Sequence, residues 1–369
     1  MRVGVPKEIK DNEYRVGLIP STVRELTARG HQVLIERDAG VGAGIPDEEY
    51  MSAGAEIVAA AGPIFERSEL IVKVKEPLAP ERRQLRRGQA LFTYLHLAPD
   101  REQTRELIAS GVTAIAYETV TDPQGRLPLL TPMSEVAGRM AVQVGAHYLE
   151  RPQGGRGVLL GGVPGVEPAN VLVIGAGAVG GNAALIAAGM QADVTVTARS
   201  PDSIRFIANQ FGGRVRTVIS SQDAIEAHCR QADLVVATAL IPGAMAPKLI
   251  SAATVKAMKP GSVIVDVSID QGGNAETSHP TTHSAPTFII DGVVHYCVAN
   301  MPGAVPRTST FALNKATRPF VLALADKGIR DALNADEHLR NGLNVHSGAV
   351  TCRAVAEAQR LPFTPIAVL

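Results

Sequence analysis

The chain has 369 residues, enough for two domains with separate hydrophobic cores. Its 36 Lys and Arg balance 36 Asp and Glu with no long run of one sign, which argues against a nucleic-acid footprint or a membrane-surface patch. Three scattered cysteines, Cys229, Cys297 and Cys352, lack C-x-x-C spacing and fit reduced core thiols better than a disulfide framework or a zinc site. The opening MRVGVPKEIK has no apolar signal-peptide core, and no apolar run reaches membrane-spanning length. The expectation is a soluble cytoplasmic chain without metal, nucleic-acid or membrane partners.

The first strand, RVGVP, leads into the loop KDNEYRVGLIP, which carries Arg15. STVRELTARG follows as a helix, with Ser21 expected as its N-cap and Gly30 just past its C-terminus. HQVLIE (31–36), ELIVKVK (69–75), QALFTYLH (89–96) and VTAIAYE (112–118) are short, apolar and rich in β-branched residues. Strand and helix in alternation predict a parallel α/β sheet. Lys75 and His96 each end a predicted strand. In open parallel sheets ligands bind beyond the carboxyl ends of strands, so both side chains and Arg15 point to one crevice. Arg as a two-pronged donor and Lys as a point charge suit a carboxylate; His96 adds a group that exchanges protons near neutral pH. Singly, each reads better as an exposed Arg, a surface Lys or a partly buried His. Their shared location at strand ends brings the functional reading level with that one.

A helix, MSEVAGRMAVQVGAHYLE (133–150), and the Gly-rich loop LLGGVPGV (159–166) separate this set from a second one. NVLVI, DVTVTA, VRTVIS, DLVVATA, SVIVDVS and HYCVAN read as its strands. After NVLVI comes the turn with Gly175, Gly177 and Gly180, opening a helix through Ala178 and Val179. The spacing suits a dinucleotide pyrophosphate at a helix N-terminus. Asp266 and Asp270 follow another strand, the first as a turn acid, the second as a candidate facing a cleft between domains. Asn300 and Met301 follow HYCVAN. Beyond Pro306, TFALNKATRPFVLALAD and VTCRAVAEAQ read as helices that return to the first sheet. The resulting division is 1–128 with 307–369 as a discontinuous substrate and catalytic domain, and 129–306 as the dinucleotide-binding domain.

RVGVPKEIKDNEYRVGLIP, VKVKEPL, LFTYLHLA, TPMSEVAGRMAVQVGAHYLE, LLGGVPGV, VSIDQGG and VANMPGAVPRTST together resemble the alanine dehydrogenases, across essentially the whole chain. The wider family includes the nucleotide-binding part of proton-translocating transhydrogenase, which stands as the alternative reading. The resemblance implies two Rossmann-like α/β domains with parallel sheets, the active site in the cleft between them, and a hexamer built from dimers. It implies reversible conversion of L-alanine to pyruvate and ammonia, with hydride passing to a nicotinamide. Arg15 and Lys75 match residues that bind the substrate carboxylate, His96 the catalytic acid/base, and Asp270 the second catalytic residue. Ser134, Val267, Ser268, Ile269, Asp270, Asn300 and Met301 match positions around the cofactor, and Ser220, Ala239, Leu240 and Val298 extend that set.

One position departs from the family. The strand VTVTA normally ends in an acid that holds the adenosine ribose, but here it runs into Ala198-Arg199-Ser200. Ala198 neither binds the ribose hydroxyls nor repels a 2′-phosphate, while Arg199 and Ser200 offer a guanidinium and a hydroxyl to one. The sequence therefore predicts NADP(H) ahead of NAD(H), the family default.

Overall fold

The computed structural model describes residues 1–240 and 245–366, so positions 367–369 of the expected closing segment lie outside the described residues. In chain order the strands are β1 (Arg2–Val5), β2 (Gln32–Glu36), β3 (Glu56–Val58), β4 (Leu70–Val72), β5 (Ala90–Thr93), β6 (Thr113–Ala116), β7 (Asn170–Ile174), β8 (Asp193–Ala198), β9 (Arg216–Ile219), β10 (Leu234–Ala237), β11 (Val263–Asp266), β12 (Thr287–Ile290), β13 (Val293–Tyr296), β14 (Leu343–His346) and β15 (Ala349–Val350). They fall into two compact units, Met1–Met133 with Gly303 onward, and Ser134–Pro302.

The first unit holds a sheet of order β15-β14-β6-β5-β4-β1-β2-β3. From β3 to β6 every pairing is parallel. β4, β5 and β6 are buried along their whole length, as expected for central strands covered on both faces. The sheet is parallel as expected except at the far edge, where β14 runs antiparallel to β6 and β15 antiparallel to β14. The β14–β15 pair follows from a two-residue hairpin. Ser347 and Gly348 both take positive φ, 49° and 88°, a turn that joins only antiparallel neighbours.

The second unit holds a sheet of order β12-β13-β11-β10-β7-β8-β9, parallel except for the β12–β13 pair. There Asp291 and Gly292, at φ 49° and 78°, make the same kind of tight turn. β7 lies between β10 and β8, so the strand order reverses beside the glycine turn, where α/β sheets open a ligand crevice.

Two smaller expectations also shift. The first helix spans Pro20–Ala28 with Ile19 as N-cap, so Ser21 lies inside its first turn, because Pro20 already occupies the position where a missing N–H costs nothing. The helix Pro306–Lys327 continues through Pro319. Cys229 and Cys297 are buried, whereas Cys352 is half-exposed. No helix among the described residues is long and apolar enough to cross a membrane.

Candidate active site

In the first unit the three candidate side chains follow adjacent strands. Arg15 lies on the loop after β1, Lys75 three residues beyond β4, and His96 three residues beyond β5. Neither Lys75 nor His96 is in a strand; both lie on the turns that leave the sheet at its carboxyl edge.

Each is held by a carboxylate that the sequence reading did not single out. Arg15 is 2% exposed, and its Nε and Nη2 donate to the two oxygens of Glu13 at 2.7 and 2.6 Å. Nη1 reaches Met133 Sδ at 3.1 Å. Burial opposes the charge, but the hydrogen bonds and field of Glu13 outweigh it and hold the guanidinium above its ordinary range. The side-on fork of Arg15 is thus taken, so a substrate carboxylate would meet the Nη end of the group rather than that fork.

Lys75 Nζ lies 3.5 Å from Glu76, which also pairs with Lys10. Its backbone is anchored from beneath, because Glu8 Oε1 accepts from the N–H groups of Val74 at 2.7 Å and Lys75 at 3.3 Å. The other Glu8 oxygen accepts from Lys73 Nζ at 3.0 Å, and Lys73 also donates to Glu81 at 2.6 Å. All three of these side chains are buried. One ammonium serves two carboxylates. Burial therefore raises the Glu8 carboxyl above the usual range despite Lys73, while on Lys73 the two acids outweigh burial and raise the ammonium.

His96 is exposed, with φ at 50°, and its ring stacks on Tyr94 at 5.8 Å between centroids. Its backbone N–H donates to Glu118 at 2.6 Å. Tyr94 is itself fixed by a 2.5 Å bond to the Leu129 carbonyl.

In the second unit the glycine turn has three distinct constraints. Gly175 has φ 111°, a conformation that disfavours side chains. A Cβ on Gly180 would lie 1.9 Å from the Gly175 oxygen, so helix and turn pack as closely as backbone permits. Gly177 is exposed at the N-cap of the helix Ala178–Gly189, and a Cβ there would meet nothing within 4 Å. That open space over free helix N–H groups fits a pyrophosphate. Ala178 is exposed and Val179 half-buried beside it.

Apart from Ser134, the remaining cofactor candidates follow the carboxyl ends of strands in the second sheet. Ala198 ends β8 and its carbonyl accepts from Ser220 N at 2.9 Å. Arg199 is exposed and has no hydrogen-bond or ion-pair partner among the described residues. Ser200 caps the next helix by accepting from Ser203 N at 3.3 Å, which leaves its O–H to donate elsewhere. Ala239 and exposed Leu240 follow β10. Val267 continues the ladder to Ala237, and Ser268 donates to the Ala239 carbonyl at 3.1 Å. Ile269, Val298 and Met301 are buried, so their backbones rather than their side chains are offered to a ligand. Asn300 takes φ 63°, and its carbonyl lies 3.3 Å from His283 Nε2. Ser134 lies in the helix Thr131–Tyr148, which opens in the first unit and runs through the second.

The two aspartates differ in setting. Asp266 Oδ2 accepts from Asn274 N, Ala275 N and Ser278 Oγ at 2.7, 3.1 and 2.7 Å and serves as a turn acid. Asp270 is exposed on the short 3-10 turn Ile269–Gln271. Sequence reading missed Asn274, whose buried amide ties Ala239 N, Ala239 O and Pro247 O at 2.9–3.0 Å and so joins the loops after β10 and β11. Its signal was its place directly after Gly272-Gly273.

The family profile described as alanine dehydrogenase/PNT, N-terminal domain, matches residues 4–137, and that of the C-terminal domain matches residues 141–353. An alanine dehydrogenase from Halomonas elongata is 57% identical over 369 residues, covering 100% of both chains. One from Mycobacterium tuberculosis (strain H37Rv) is 54% identical over 370 residues, again covering 100% of each. A solved L-alanine dehydrogenase aligns with a TM-score of 0.95 and 51% identity, over 98% of this chain and 99% of that one. A transhydrogenase from Sinorhizobium meliloti aligns at 0.82 with 26% identity, over 96% and 100%. With profiles covering nearly its full length and relatives above half identity, the chain belongs to the alanine dehydrogenase/PNT family.

Proposed function

We propose that the chain is a nicotinamide-dependent amino-acid dehydrogenase that converts L-alanine to pyruvate and ammonia and catalyses the reverse amination. The observation that carries this reading is the set Arg15, Lys75 and His96 on consecutive parallel strands β1, β4 and β5, two cations and a proton carrier at one sheet edge. The transhydrogenase-like alternative draws on a relative at 26% identity, against 57% for an alanine dehydrogenase.

In this reading Arg15 and Lys75 bind the carboxylate of alanine and fix its Cα, and such orientation is itself a large part of catalysis. The nicotinamide supplies the hydride acceptor. Loss of hydride from Cα leaves an iminium, and water adds to it to give a carbinolamine that releases ammonia and leaves pyruvate. His96 takes the proton from the attacking water and returns one to the departing amine; Asp270 assists those transfers. Cytoplasmic location and a hexamer built from three dimers belong to the same reading, the latter checked by light scattering. Purified protein with L-alanine and oxidised cofactor should yield pyruvate and reduced cofactor in equal amounts. A folded sample inactive with both NAD and NADP overturns the reading.

The cofactor reading is NADP(H) ahead of NAD(H), supported by Ala198 in place of an acid and by the exposed Arg199 beside it, which has no partner among the described residues. A hydrogen bond to a charged group contributes ~1.5–3 kcal/mol, or roughly ten- to hundredfold in discrimination. The check is kcat/KM for both cofactors in the parent and in Arg199→Ala. If the parent prefers NAD, or Arg199→Ala leaves NADP use unchanged, the phosphate-binding role is wrong.

A further inference from the structure

We propose that Glu118 is the positioning residue for His96, gripping the backbone turn that presents the imidazole. The inference rests on the reading of His96 as acid/base. β5 and β6 are parallel neighbours in register, with Thr93 opposite Ala116. The chain leaving β5 makes its last ladder bond at Tyr94, whose N–H donates to the Val74 carbonyl at 3.2 Å. The next two N–H groups have no strand to bond to. Both turn to Glu118, just beyond β6: Leu95 N lies 3.2 Å from each carboxylate oxygen, and His96 N lies 2.6 Å from Oε1.

Two successive N–H groups converging on one anion form a backbone nest, and a charged acceptor makes such bonds stronger than a neutral one. The grip is needed for two reasons. Leu95 is fully buried, so its N–H would otherwise be an orphan donor. His96 takes φ 50°, a left-handed conformation that L-residues with a Cβ adopt only when their surroundings hold them there. An extended backbone at this position would alternate the side chain to the other face. Glu118 has no ion-pair partner among the described residues, so no cation competes for its carboxylate.

The function of the acid is therefore read through His96, not through substrate or cofactor. Glu118→Gln replaces one acceptor oxygen by an N–H₂ that opposes the backbone donors. It should lower kcat by about ten- to hundredfold, the scale of a small misplacement of a catalytic group. The KM for pyruvate, which reports on Arg15 and Lys75, and the dinucleotide dissociation constant should stay within about twofold. Glu118→Asp, which keeps the charge on a shorter arm, should recover part of the loss.

An unchanged kcat in folded Glu118→Gln overturns the inference. So does a parallel fall of kcat, pyruvate affinity and dinucleotide affinity, which marks general damage. Should the Gln variant fail to fold, Glu118→Asp carries the same split, and a folded Asp variant with the parent's kcat overturns the inference. Near-normal turnover in His96→Ala sinks the reading of His96 itself. Lost turnover there beside an unaffected Glu118→Gln sinks only the role of Glu118.

Discussion

The guanidinium of Arg15 and the imidazole of His96 have opposite settings. Arg15 is buried with its charge fixed by Glu13, whereas His96 stands exposed on a turn held through its backbone. The first suits a permanent cation that waits for a carboxylate, the second a group that must exchange protons with water. The variants should separate these roles. Arg15→Ala and Lys75→Ala should raise the KM for pyruvate and alanine by roughly tenfold or more, as expected for removal of a charged hydrogen bond. His96→Ala and Asp270→Ala should abolish measurable turnover while the protein still binds the dinucleotide. If both cation variants kept the parent's pyruvate affinity, or either proton-transfer variant kept its turnover, that role would be misassigned. The residues themselves were legible in the sequence because each followed a recognisable strand. Their supporting acids Glu8, Glu13 and Glu118 were not, because nothing in local sequence says which acid will fold back onto which N–H.

Between strands and loops the same limit shows in another form. β4 and β5 end three residues before Lys75 and His96, where the N–H groups of Val74 and Lys75 turn to Glu8 and those of Leu95 and His96 turn to Glu118. β12 and β14 were missed although their turns, Asp291-Gly292 and Ser347-Gly348, carry the glycine that a two-residue hairpin requires. Two predictions belong to the turn after β4. Lys73→Met leaves Glu8 and Glu81 buried without their cation, and removing one partner from such a cluster costs about 3–5 kcal/mol. Urea unfolding should show that loss, and a loss under about 1 kcal/mol would mean that water or protonation already relieves the acids. Glu76 tests the pH dependence. Burial acts to raise its carboxyl, but Lys75 and Lys10 outweigh it and hold it below the usual carboxylate range. A carboxyl depressed by folding adds stability above its unfolded value and loses it as the pH falls through its folded one. The gap in urea midpoint between the parent and Glu76→Gln should therefore be widest at neutral pH and close as the solution is acidified below the ordinary carboxylate range. A gap that widened in acid would contradict that sign.

For the whole molecule, the dinucleotide is a reporter of both fold and specificity, because a ligand that binds only the folded chain stabilises it by mass action. The glycine turn offers a pyrophosphate the open space at Gly177 whichever cofactor arrives, so both NAD(H) and NADP(H) should raise the melting temperature. At a hundredfold excess over its dissociation constant a ligand contributes about 2.7 kcal/mol, and each kcal/mol moves a unit of this size by about 2–4 °C. The phosphate-binding reading makes the two shifts unequal at one shared concentration. NADP(H) should give the larger shift in the parent, by about 1.4 kcal/mol for each tenfold in affinity. Arg199→Ala should bring the two shifts together by lowering the NADP(H) one, since Arg199 has no partner among the described residues whose loss would perturb the fold. Restoring an acid with Ala198→Asp should reverse their order, as the carboxylate accepts from the ribose hydroxyls and repels the phosphate. This measurement needs no turnover, so it stands apart from every assignment of catalytic residues. Equal shifts in the parent, or a gap that survives Arg199→Ala, would place cofactor choice elsewhere on the chain.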